Sequence, residues 1–183
     1  MKKLGFLALF VAGGALIVSG VSLARGGDDD GKAASTRLVG YNETPSISTT
    51  ARGRFEARVA DGKITFRLRY EGLEGGNATQ AHLHLGQRHT AGGVSAFLCG
   101  GSVKPACPAG SATIEGTIVP SDVIGPGGQG IAPGQFDELV AAIRAGAVYA
   151  NVHTPTYPAG EVRGQLRGHK GKEKGDDRSG KDD

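Results

Sequence analysis

The sequence predicts a mostly β chain: a single antiparallel β-sandwich of about eight strands with one short helix at 134–145. Three observations predict it. Two alternating runs flank an Asp-Gly pair. Further short apolar runs are separated by Gly and Pro clusters. Helical spacing of apolar residues appears in one segment only.

The alternating runs come first. In 52–59 Phe55, Ala57 and Val59 share one face and Arg54, Glu56 and Arg58 the other. In 63–70 Ile64, Phe66, Leu68 and Tyr70 point inward and Thr65, Arg67 and Arg69 outward. Asp61-Gly62 between them supports a tight hairpin turn. The Arg-rich outer face is read as a solvated sheet surface. Further strands are expected at 36–40, 79–86, 93–98, 112–119, 147–153 and 160–167. In 134–145 Phe136, Leu139, Val140 and Ile143 follow i, i+3, i+4, i+7 spacing, and Gly146 stops the helix.

The termini read differently. Two lysines precede an apolar run from Leu4 to Ala24, and Ser22-Leu23-Ala24 offers a signal-peptidase site, so residues 1–24 are expected to be a cleaved signal peptide. The run exceeds a usual signal core, so an uncleaved membrane anchor is the alternative. Residues 25–34 lack large apolar side chains and 169–183 carry five basic and five acidic residues, so both are expected to be disordered, leaving 35–168 as one domain. Cleavage leaves 19 Lys and Arg against 18 Asp and Glu, a net charge of +1. With aromatics also sparse, a nucleic-acid partner is excluded. Export places the protein as secreted, periplasmic or cell-surface, facing an unidentified extracellular partner or surface, and touching membrane only through an uncleaved leader. Cys99 and Cys107, an even and close pair in an exported chain, are expected to form a disulfide.

Chemistry concentrates on three strands. His82 and His84 share a face with Gln80, opposite Ala81, Leu83 and Leu85. Tyr149, Asn151 and His153 lie opposite Val148, Ala150 and Val152; Glu161, Arg163 and Gln165 lie opposite Val162 and Leu166. If the three strands are neighbours, His82, His84, His153, Asn151, Glu161 and Arg163 cluster on one polar, outward face. Neutral imidazoles at i, i+2 on a strand, joined by a third, suit Cu or Zn. The same groups also suit a structural hydrogen-bonded cluster with a Glu161–Arg163 ion pair. Hydrolase chemistry is weakly supported: no Gly-x-Ser-x-Gly elbow and no close carboxylate pair occurs. The glycines of 125–134 lack phosphate-cradle spacing.

The stretches GLEGGNATQAHLHLG, FLCGG…ACPAG, EGTIVPSDVIG and YANVHTPTYPAGEVRGQLRG resemble the CHRD domain, the module first named from chordin, over about residues 36–168. The resemblance implies an extracellular β-sandwich module of the immunoglobulin-like or dismutase-like kind, without an established catalytic activity. The His-x-His strand, the later Val-His and the final-strand Arg are also similar to the copper side of Cu/Zn superoxide dismutase. That similarity implies His82, His84 and His153 as copper ligands and Arg163 as an anion-guiding residue. The dismutase has a fourth, bridging histidine and a zinc loop. Here only His89 lies nearby, and no acidic residue follows it before Cys99. The preferred class is therefore a non-enzymatic binding or structural module, the alternative a Cu- or Zn-binding oxidoreductase.

Overall fold

The structure, a computed structural model, describes residues 32–168. The expected signal peptide, most of the 25–34 linker and the charged 169–183 segment lie outside the described residues. The elements are β1 (Lys32–Val39), β2 (Arg52–Ala60), β3 (Lys63–Glu71), β4 (Gln80–Leu85), β5 (Gly93–Gly100), β6 (Ala112–Ile118), α1 (Phe136–Arg144), β7 (Val148–His153), β8 (Val162–Gln165) and β9 (Arg167–Gly168). Every pairing is antiparallel, and the strand order is β5-β4-β7-β8-β1-β2-β3-β6, with β9 beside β1.

The β2–β3 hairpin follows from its turn. Asp61 and Gly62 take φ of 52° and 68°, and a two-residue loop with both φ values positive matches the right-handed strand twist. β1 reaches back to Lys32, further than the expected start at 36, because Ala34 is buried and pairs with Ala57.

The ladder is one continuous, nearly closed sheet rather than two separate ones. Two four-stranded halves meet where β1 and β8 share one pair, Val39 with Arg163. The chain makes this corner by leaving β8 at Leu166, whose side chain enters the core, and resuming as β9 along β1. Leu38, Phe55, Ile64, Leu68, Leu83, Ala150, Val152 and Val162 are fully buried between the halves.

Helix α1 buries Phe136, Leu139, Val140 and Ile143 in the same core. Its acidic first turn and Arg144 in the last complement the helix dipole. It starts two residues later than expected, because Gly134 takes φ 83°, outside helical space, and it stops before Gly146 at φ 70°. Cys99 and Cys107 are joined by a disulfide. Among the described residues no helix is long and apolar enough to cross a membrane.

Candidate metal centre

Strand β7 lies between β4 and β8, so register decides which polar groups meet. His82 pairs with Asn151, and Asn151 with Arg163; His84 pairs with Tyr149, and Tyr149 with Gln165. Gln80 pairs with His153. The strands are neighbours, and the alternation places these side chains on one face.

That face is not outward. His82, His84, Tyr149, Asn151, His153 and Arg163 are each at most 7% exposed. The cause is a set of hydrogen bonds between the sheet and loops drawn over it, most of them to loop backbone. Arg163 Nη2 donates to Gln87 O at 2.9 Å, and Gln165 Nε2 donates to Gly86 O and Gly146 O at 2.9 and 2.8 Å. Asn151 Nδ2 donates to Ala159 O at 3.4 Å and Asn42 Nδ2 to Arg163 O at 3.2 Å. Period-2 alternation reports which side chains share a face, not whether loops cover it.

The three histidines converge. His82 Nδ1 lies 3.0 Å from His153 Nε2, and one nitrogen from each of His82, His84 and His153 falls within 4.8 Å of the others. Two nitrogens each about 2.0–2.1 Å from one tetrahedral ion stand about 3.4 Å apart, so pairs within 4.8 Å need to close by about 1.5 Å at most.

Tautomers follow from the partners. His84 Nδ1 lies 2.9 Å from Gly92 O and His153 Nδ1 lies 3.0 Å from Pro158 O. A carbonyl oxygen only accepts, so both Nδ1 atoms carry hydrogen and both Nε2 atoms present lone pairs. This is how backbone carbonyls orient metal-binding imidazoles. Nε2 of His84 and of His82 has no hydrogen-bond partner among the described residues.

Asn151 sharpens the argument. Its Oδ1 lies 3.0 Å from His153 Nε2, and the residue also interacts with His84. Its Nδ2 is turned to Ala159 O and to the Glu43 carboxyl. The amide oxygen therefore stands beside the His153 Nε2 lone pair, where a cation or a shared proton would be welcome.

The rings are held neutral. Burial, with the neighbouring His153 and His84, pushes His82 down to about 3, and burial pushes His84 down to about 4. Burial also holds His153 below the ordinary histidine value. Neutral rings are the form that binds metal.

Glu161 and Arg163 do not form the expected ion pair. Glu161 is fully buried, and its carboxylate accepts from Thr49 Oγ1 (3.0 Å), Glu74 N (2.7 Å), Gly75 N (3.1 Å) and Thr154 Oγ1 (3.0 Å). It precedes the first residue of β8 and serves the 74–75 loop, not the histidines. The Arg163 guanidinium instead lies 3.3 Å from the Tyr149 ring centroid. Because β7 separates β4 from β8, Tyr149 stands between Arg163 and His84, whose ring is parallel to it at 4.7 Å.

Two members of the site escaped the sequence argument. Glu43 is 5% exposed, and burial pushes its carboxyl up to about 7 against the opposing pull of Arg163. Gly160, at φ 127°, allows that approach: a Cβ there would stand 2.3 Å from Glu43 Oε1 and 2.7 Å from Asn151 Nδ2. Phe97 packs edge-on to His82, with ring centroids 4.4 Å apart. Glu43 lies in a turn between strands, where alternation gives no signal. Phe97 reaches His82 through bulges in β4–β5 pairing.

Fold and site together define an antiparallel β module with an apolar core and, on the opposite face of β4, β7 and β8, a loop-covered three-histidine cluster. The family model of the CHRD domain matches residues 34–166, and the chain belongs to that family. No curated protein and no solved structure matches the chain.

Proposed function

We propose that this chain is an exported CHRD-domain module that holds one copper or zinc ion through His82 Nδ1, His84 Nε2 and His153 Nε2, and that it acts in binding rather than catalysis. The observation that carries the assignment is the convergence of lone pairs: Gly92 O and Pro158 O fix the tautomers of His84 and His153, and Asn151 Oδ1 lies 3.0 Å from His153 Nε2 at the same point. Three imidazoles and one amide oxygen form a donor set suited to Cu(II) or Zn(II). The disulfide and the family are compatible with an extracellular setting.

The dismutase-like alternative draws on the same histidines and needs Arg163 to guide an anion. Arg163 is 3% exposed and engaged with Gln87 O and Tyr149, which supports the binding assignment. Elemental analysis and thermal melts of purified protein test the proposal. One equivalent of Cu or Zn, a melting temperature raised by that metal, and loss of both effects in His82→Ala and His153→Ala are expected. Wild-type protein that neither retains metal nor melts higher with either one would refute it.

A further inference from the structure

Outside the histidine site, the strongest feature is the outer face of β1-β2-β3-β6. The register aligns Arg37 with Arg54 and Arg54 with Arg69, three guanidinium groups side by side across three strands. Like charges directly opposite one another destabilise a sheet. The next row sets Arg167 beside Ser35, Glu56, Arg67 and Glu115. Arg52, Arg58 and Lys63 complete the face, and all eight of its basic residues are exposed.

Three carboxylates answer them. Arg52 meets Glu71 at 2.7 Å, Arg54 meets Glu56 at 2.7 Å, Arg67 meets Glu115 at 3.0 Å, and Arg69 meets Glu71 at 3.4 Å. Eight basic groups against three acidic ones leave an excess of five, whereas all of residues 32–168 carry 13 basic and 10 acidic residues, an excess of three. The positive charge is therefore segregated onto one sheet face and outweighed elsewhere. The positions between the charges hold Ser35, Thr65, Thr113 and Thr117, hydroxyl groups with no aromatic ring among them.

The geometry points to a binding surface for an extended anionic polysaccharide. Guanidinium rows repeat at the strand spacing of about 4.8 Å, which suits sulfate or carboxylate groups carried on successive sugar units. Threonine and serine hydroxyls suit sugar hydroxyls. The missing aromatic platform removes the stacking that single-stranded nucleic acid uses.

The test uses the full chain and immobilised dextran sulfate or polygalacturonate at low salt. The variants are the triple Arg37→Gln, Arg58→Gln, Lys63→Gln, whose members join none of the ion pairs above, and a control triple, Lys170→Gln, Lys172→Gln, Lys174→Gln, in the C-terminal segment. Wild-type and control protein should bind at least one polymer, identifying sulfate or carboxylate as the anion. The face variant should bind at least tenfold more weakly with an unchanged melting temperature. Its salt dependence should lose about one unit of log–log slope per contacting charge removed. Binding to neither polymer, equal binding by the face variant, an equal loss in the control, or stronger face-dependent binding to duplex DNA would overturn the proposal.

Discussion

His82 Nδ1 and His153 Nε2 stand 3.0 Å apart although the residues are 71 apart in sequence. The contact exists because β4 and β7 are adjacent with His82 opposite Asn151, which sets His153 diagonal to His82. A pair this close shares a proton or an ion: with Nδ1 of His153 turned to Pro158 O, its Nε2 lone pair can accept from His82 Nδ1–H or, as proposed above, ligate a metal. Four expectations follow from the site and its supports.

Metal affinity should resist acid. Because burial holds His82 near 3 and His84 near 4, protons compete little until well below the ordinary histidine value of about 6.5. Chelator competition at pH 7 and pH 5 should give affinities within about tenfold. Release centred near pH 6.5 would count against a buried site.

The metal-free protein should lose stability on the acid side for the same reason. The folded histidines stay neutral while the unfolded ones take up protons below about pH 6.5, so stability is full above that pH and falls as pH drops toward 4. Glu43 acts in the opposite sense. Its folded carboxyl titrates near 7 instead of 4.5, so its contribution is full below pH 4.5 and is lost as pH rises through 7. The 2.5-unit shift corresponds to about 3 kcal/mol at most. Denaturant melts of Glu43→Gln between pH 4.5 and 8 should show this alkaline decline removed while the acidic decline persists.

Glu161→Gln should destabilise the domain by about 2–4 kcal/mol at pH 7 without abolishing metal binding. The buried carboxylate accepts four hydrogen bonds, two of them from backbone N–H groups, and an amide replaces one acceptor oxygen by a donor. Urea titration measures the loss. Equal stability would mean that the 74–75 loop is held by other contacts.

Replacing Cys99 and Cys107 together by serine should cost about 2.5 kcal/mol, the entropy of leaving an eight-residue loop open in the unfolded chain. The histidine cluster should survive, since Cys99 pairs with Ala81 on the core side of β4. Melts with and without metal should show a lower midpoint and an unchanged metal-induced rise.

The β2–β3 hairpin was legible because both runs alternate over eight or more residues with one face exposed, β4 and β7 because their apolar residues also fall at every second position, and α1 because four apolar residues keep helical spacing. His82, His84, Asn151, His153 and Arg163 could be placed on one face by the same period. What alternation cannot carry is the direction taken by a residue at a strand break. Glu161, one residue before β8, turned to the 74–75 loop and left Arg163 to Tyr149. Nor does it foresee bulges: register shifts on either side of His82-Leu83 place Phe97 opposite His82. The covering loops were illegible too, because their hold is through backbone carbonyl groups that any sequence possesses.

The single ladder pair between Val39 and Arg163 has a kinetic meaning. The first strand finds β2 nearby, but its other neighbours, β8 and β9, are the last strands of the domain. Loop-closure entropy must therefore be met almost in full before the two halves join, which places this protein among slow, high-contact-order folders. Until residues 162–168 are available, the β5-β4-β7 half has no strand with which to reach β1. Arrival of these last strands, rather than local strand formation, times the joining of the two halves.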